Sequence, residues 1–255
     1  MKVQRTKKGD LIVKNKYDFN CAVIGTLLGD GSLNRFRLKN GPDNKTKKGP
    51  LWNRTELRIF HKEGFKEYLD WKITLMRAYI ENVSIYEKTK EMNGKVFKGF
   101  DAHIKHRKNF HYMYRNFYVG GKPSTNNRIS GAKKVVKQKI LNRLSPLSIA
   151  IWYMDDGSLY EYRRGDKVYR TISLHTDCFT FNECKLIKEY FENKYNIHFN
   201  VNHNGMTDKS KDYGYKLRCN RKKDIELFID IVKEFVEDVK CMHYKLPNSA
   251  LHPTL

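Results

Sequence analysis

Two apolar runs in this chain end the same way. Ala22-Val-Ile-Gly-Thr-Leu-Leu-Gly-Asp-Gly-Ser-Leu33 and Ser148-Ile-Ala-Ile-Trp-Tyr-Met-Asp-Asp-Gly-Ser-Leu159 both close in Asp-Gly-Ser-Leu, about half a chain length apart. Matched segments at that separation read as a duplicated unit. The hydrophobic pattern after each run repeats as well. Polar and apolar residues alternate over 33–39 and 54–60, which predicts two strands. Phe65, Leu69, Ile73, Met76 and Ile80 then fall at helical spacing. Strands over 83–88 and 95–105 and a helix over 108–117 complete the first half.

The second half follows the same order. Strands are expected over 159–163 and 168–175. Thr180 is a natural N-cap, and Glu183 completes a capping box for a helix over 181–195. Strands over 197–203 and 213–219 come next, and Ile225, Phe228, Val232, Phe235 and Val239 mark a last helix. Ser145-Pro146 starts the second apolar run as a helix, and Asn20 and Gly31 bracket the first. Each half therefore reads helix, strand, strand, helix, strand, strand, helix, an α+β class. The Lys-, Asn- and Gly-rich segments 40–49 and 120–139 read as loops, the second joining a unit over 1–119 to one over 140–255.

The alternation gives every strand an apolar and a polar side. Arg35, Arg37 and Lys39 oppose Phe36 and Leu38. Asp101, His103 and Lys105 oppose Ala102 and Ile104. In the second half Thr171, Ser173 and His175 oppose Ile172 and Leu174, His198, Asn200 and Asn202 oppose Phe199 and Val201, and Lys216 and Arg218 oppose Leu217 and Cys219. A wet polar face is ordinary for an antiparallel sheet. Charge changes the picture: Lys plus Arg number 50 against 28 Asp plus Glu in 255 residues, a net +22. An excess of that size disfavours compaction unless a polyanion neutralises it, and nucleic acid is the natural one. The polar faces, scarce in acid on this reading, are then expected to meet phosphates and base edges of double-stranded DNA. The expected contacts are Arg35, Arg37, Lys39, Arg54, Arg58, His103 and Lys105 in the first half. In the second they are Arg163, Arg170, Ser173, His175, His198, Asn200, Asn202, Lys216 and Arg218.

Candidate chemistry sits where each apolar helix stops. Asp30 and Asp156 come at the negative end of a helix dipole, an unfavourable place for a carboxylate by about 0.3–1 kcal/mol when exposed. Bringing the two ends together adds repulsion, and a divalent cation reverses both penalties. Oxygen ligands of this kind suit Mg²⁺, with Mn²⁺ as a substitute. Gly25, Gly29, Ala22 and Ala150 are small enough for the helices to approach closely. The metal site is expected to comprise Asp30, Asp156, the Gly29 position and Asp155, with Asp155 at its edge. Five cysteines at irregular spacings, with no C-x-x-C pair, suggest neither zinc nor a redox motif. The basic start of the chain has no apolar signal core, and no stretch has the length of a membrane span. A soluble protein inside the cell, in an organelle matrix or the cytoplasm, is the expectation.

Val23-Ile-Gly-Thr-Leu-Leu-Gly-Asp-Gly31 and Ile149-Ala-Ile-Trp-Tyr-Met-Asp-Asp-Gly157 resemble the LAGLIDADG signature twice over. The chain is similar to the monomeric, two-motif homing endonucleases. Leu144 to Gly157 and Met242-His-Tyr-Lys-Leu-Pro-Asn248 resemble the subgroup encoded by mobile introns. The first motif departs from the pattern, with Leu28 and Gly29 before the final acid. The resemblance implies two pseudo-symmetric αββαββα units, motif helices packed at the centre, and two antiparallel sheets forming a saddle over DNA. It also implies metal-assisted hydrolysis of both strands, with short 3′ overhangs, and a basic residue near each scissile phosphate. Lys245 in Tyr-Lys-Leu-Pro and Lys134, beside Lys133, are the matching positions. An RNA maturase acting on an intron, or a regulator that binds DNA without cutting, are the alternatives on the same fold.

Overall fold

A computed structural model describes residues 3–7, 9–36, 54–92, 94–105, 107–123, 128–205 and 214–247. The first unit runs α1 (Lys16–Leu28), β3 (Ser32–Phe36), β4 (Arg54–Lys62), α2 (Lys66–Met76), β5 (Asn82–Met92), β6 (Lys95–Lys105) and α3 (Arg107–Phe117). Ahead of it lies a small hairpin, β1 (Val3–Arg5) with β2 (Leu11–Val13). The second unit runs α5 (Pro146–Asp156), β9 (Gly157–Arg164), β10 (Lys167–His175), α6 (Phe181–Tyr195), β11 (Asn200–His203), β12 (Tyr215–Cys219) and α7 (Lys222–Glu237). Both units are therefore αββαββα, as the repeated pattern predicts. Their sheets share one topology, β3-β4-β6-β5 and β9-β10-β12-β11, all antiparallel.

Capping chemistry sets the helix ends. Ser145 and Ser148 form a capping box at the start of α5, with Pro146 in the first turn. Thr180 and Glu183 do the same for α6. The first motif helix starts earlier than expected. Asn15, not Asn20, is its cap, since the Asn15 side chain accepts from the Asp18 amide and Asn15 has extended backbone. Strand β11 is shorter than expected, because 197–199 lie before its ladder begins.

The segment 120–139 is not a featureless loop. It contributes to a hairpin of β7 (Tyr118–Pro123) with β8 (Ile129–Lys134) and holds the one-turn helix α4 (Gln138–Leu141). Gly120 and Gly121, whose φ values are 69° and 90°, let strand-like pairing persist through a glycine-rich sequence. The expected loop 40–49 lies outside the described residues. Among the described residues, no helix is long and apolar enough to cross a membrane.

The core is one body centred on α1 and α5. Both helices are apolar nearly all round, and Ala22, Val23, Leu27, Ile149, Ala150, Ile151, Trp152 and Tyr153 are all 0% exposed. Such helices are stable only when enclosed. They cross closely because Gly25 and Gly29 lack side chains. A Cβ on Gly25 would strike the Ser148 backbone, and one on Gly29 would strike the Asp155 side chain. Ser148 Oγ donates to the Cys21 carbonyl at 2.9 Å and ties the helices further.

Candidate active site and nucleic-acid face

The tails of α1 and α5 lie side by side. Helix α1 ends at Leu28 with Gly29 as C-cap, so Asp30 stands in the following turn with its side chain 43% exposed. Asp156 is the last residue of α5. Desolvation is the main cause that pushes the Asp30 carboxyl up to about 6, with the charge of Asp155 adding to it. Desolvation followed by the charges of Asp30 and Asp155 pushes Asp156 up to about 7. Three acids thus crowd one spot, the situation in which a carboxylate resists ionisation.

Two lysines meet this negative end, one from the connecting hairpin and one from the end of the second unit. Lys134, the last residue of β8, donates from Nζ to the carbonyls of Gly29 (3.0 Å) and Gly31 (3.1 Å). Lys245, closing the 3₁₀ turn Lys240–Lys245, donates to the carbonyls of Tyr153 (3.0 Å) and Met154. Each ammonium therefore sits on backbone carbonyls at or just beyond the C-terminal end of one motif helix. Burial lowers both, Lys245 to about 8. These are the two positions the resemblance singled out, and the structure brings both against the motif acids.

Asp155 differs from its expected place at the edge. Its side chain is 0% exposed and its Oδ1 lies 2.5 Å from Lys72 Nζ, itself fully buried in α2. An isolated buried carboxylate is prohibitively costly, so the pair exists because each charge answers the other. His61 of β4 completes the group: its Nδ1 lies 3.6 Å from Asp30 Oδ2 and its Nε2 3.9 Å from Asp155 Oδ1. Burial first, then Lys72, drives the imidazole down to about 3, so it is neutral. Ligand atoms of Asp30, His61 and Asp155 all lie within 4.8 Å of one another. Lys72 engages Asp155 Oδ1 and His61 Nε2, so within this group it is the Asp30 carboxylate that offers oxygen ligands suited to a hard divalent ion such as Mg²⁺ or Mn²⁺.

Neither His61 nor Lys72 was expected from the sequence. A signal existed for Lys72. The buried face of α2 is Tyr68, Leu69, Lys72, Leu75 and Met76, rotated from the stripe through Ile73. A lysine on an apolar stripe requires a buried partner.

The sheet faces follow register. In the second unit Asn200, Arg218, Ser173 and Ser158 form one cross-strand row, and Asn202, Lys216 and His175 the next. These lie opposite Ile172, Leu174 and Leu217, as expected, with Ser173 itself largely covered. Arg163 and Arg170 do not join them. Arg170 is two residues from Ile172 and so shares its side, and it bonds Glu161 at 2.7 Å. His198 precedes β11 and is held between Glu192 (3.5 Å) and Asp224 (3.4 Å).

In the first unit Arg58, His103 and Lys105 lie on the side away from Leu57, Ile59, Ala102 and Ile104. Arg35 is on the other side, registered with buried Thr55 and set over the Tyr114 ring at 5.3 Å. The strand uses Leu33 rather than Phe36 as its core residue, which reverses the expected face. The face also carries more acid than expected. Asp101 pairs with Arg58 and with Lys88 (2.5 Å), and His103 lies 3.6 Å from Glu56. Arg54 belongs to β4, and its side chain lies outside the described residues, as do Arg37 and Lys39 entirely.

Comparison with known proteins agrees with this architecture. The chain is 28% identical over 249 residues to the cytochrome b mRNA maturase bI2 of Debaryomyces hansenii, covering 95% of this chain and 79% of that protein. It is 33% identical over 115 residues to the probable intron-encoded endonuclease 1 of Wickerhamomyces canadensis, 45% of each chain. In fold it is similar to the homing endonuclease I-WcaI bound to its DNA recognition sequence, with a TM-score of 0.63 and 22% identity over 92% of this chain and 88% of that one. The model of the LAGLIDADG DNA endonuclease family matches residues 21–223, and with both motifs inside that span the chain belongs to this family.

Proposed function

We propose that this protein is a site-specific homing endonuclease that hydrolyses both strands of a long, asymmetric duplex, leaving short 3′ overhangs and promoting intron mobility. The observation that carries it is the clustering of Asp30 and Asp156 at the tails of two packed helices, where desolvation first, and then neighbouring acid charge (Asp155 on Asp30, Asp30 and Asp155 on Asp156), raises both carboxyls. Such a pair is poor as a structural element and suited to holding cations. Asp30 and Asp156 would hold divalent metal, with Mg²⁺ the expected ion. Bound there, the metal would supply Lewis acidity and lower the pKa of water.

The protein's own groups do the rest. Lys134 and Lys245 keep the helix tails electrically tolerable and present ammonium groups close to the phosphate. The outward rows of Asn200, Asn202, Lys216, Arg218 and His175, with Lys105 in the other unit, face the duplex and fix its register. Arg58 and His103 reach it only after leaving their acid partners, so they favour the target by exchange rather than by free charge.

The test is to select cleaved sites from a randomised duplex library with Mg²⁺ present. A single enriched site with staggered ends is expected; uniform recovery of uncut sequences would sink the reading. The maturase alternative draws on the 28% identity to an mRNA maturase over 95% of this chain. It predicts tight binding of intron RNA that survives loss of either motif acid, checked by filter binding. RNA affinity no better than for an unrelated transcript would remove it.

A further inference from the structure

The two units can be superposed by register alone. Ser32 pairs with Arg58 and Ser158 with Ser173, so Arg58 and Ser173 are equivalent positions, as are His61 and Thr176 three residues further on. Helix α2 begins at Lys66 and α6 at Phe181, each the same distance beyond that position, which makes Lys72 equivalent to Ile187. Gly29 and Asp155 both immediately precede a motif acid. One half of the centre therefore holds Asp155, His61 and Lys72, and the other holds Gly29, Thr176 and Ile187. Both Thr176 and Ile187 are 0% exposed, so the second set is as enclosed as the first but without charge.

The charged set leans on Asp30. Asp155 is clamped through Oδ1 by Lys72 at 2.5 Å, and its Oδ2 accepts from the Asp30 amide at 3.3 Å. Lys72 also lies 3.3 Å from His61 Nε2. An ammonium can only donate, so Nε2 is the acceptor and the ring proton sits on Nδ1, which faces the Asp30 carboxylate. Asp30 has need of such support, standing in a turn beyond its helix, whereas Asp156 is held within the last turn of α5.

We infer that Asp155, Lys72 and His61 are a buried positioning set for Asp30, present in one half-site only, so that the two strand cuts are not equivalent. This rests on the nuclease reading above. Partners that orient a metal-binding side chain typically contribute roughly 10- to 100-fold to metal affinity or activity. Removing the set should therefore slow the cut that depends on Asp30 by that factor and leave the other strand's cut near its normal rate.

Two measurements test it. Nitrogen NMR of the His61 ring in metal-free protein should show Nε2 unprotonated and Nδ1 carrying the proton. A ring protonated on Nε2 in the wild type would overturn the inference, whatever the protein does to DNA. The second uses a plasmid carrying the selected site. Lys72→Ile alone strands a buried carboxylate and risks unfolding, so the informative variant is the triple change His61→Thr/Lys72→Ile/Asp155→Gly, which copies the uncharged half. It should convert supercoiled plasmid to open circle nicked on one defined strand, with linear product delayed roughly 10- to 100-fold. Equal cutting of both strands at the wild-type ratio would contradict it. A wild type that leaves the plasmid intact would instead refute the nuclease reading, while the NMR result stands on its own.

Discussion

At the scale of single residues, the electrostatics of the centre make a signed prediction. Asp30 and Asp156 titrate at about 6 and about 7 in the fold, above the ordinary carboxylate value of 3.8. Through that window the folded protein holds protons that the unfolded chain has already released. The contribution of these groups to stability is therefore largest at low pH and is lost as pH rises through about 7. Metal-free Asp156→Asn should melt above the wild type at about pH 8, with the gap closing towards about pH 5; saturating Mg²⁺ should reverse the order at about pH 8. Thermal melts across that range, with and without chelator, check it.

The two acids were legible in the sequence because duplication makes each a control for the other. His61 and Lys72 were not, because each is unremarkable locally and acquires meaning only from Asp155, which is 94 and 83 residues away.

At the scale of elements, the motif helices depend on two missing side chains. Gly25→Ala would place a methyl against the Ser148 carbonyl, which is backbone and cannot rotate away. A cost of about 1–3 kcal/mol is expected from forced separation of α1 and α5, read from denaturant unfolding. The α6 cap is a second prediction. Thr180 Oγ1 accepts from the Glu183 amide, and Glu183 in turn accepts from the Val136 amide at 2.6 Å. Thr180→Ala should cost about 1 kcal/mol by the same measurement, with cleavage retained.

Element order and most strand limits were readable because the hydrophobic period was clear. Faces were less so. Leu33 and Phe36 lie on opposite sides of β3, and either could anchor it. With Leu33 as the anchor, Arg35 shares the core side of β3. Arg170 shares the parity of Ile172 within one strand, which alternation alone implies, whereas Arg163 joins that side only through the β9–β10 register. The hairpin β7–β8 was missed because its glycines and lysines carry no apolar alternation, yet it delivers Lys134 to the centre.

At the scale of the whole molecule, the proposed function assigns the net charge of +22 and the two polar sheet faces to duplex binding. Log affinity for duplex DNA should fall linearly with log salt, with a slope of about −0.9 per phosphate neutralised. Because Asp101 and Glu161 already occupy Arg58 and Arg170, the slope should be smaller than the count of basic residues suggests. Lys216→Ala and Arg218→Ala should each reduce it, whereas Arg170→Ala should leave it unchanged; fluorescence titration over a salt series distinguishes them.

The pseudo-symmetry that joins the units at α1 and α5 also concentrates the claim in two side chains. Its most direct test is the plasmid carrying the selected site, incubated in Mg²⁺ with wild type, Asp30→Asn and Asp156→Asn, while duplex binding is followed in parallel. The structure predicts that either variant loses double-strand cleavage and still binds within a few fold of the wild type. Cleavage by either variant at the wild-type rate would contradict the assignment of these carboxylates to the metal.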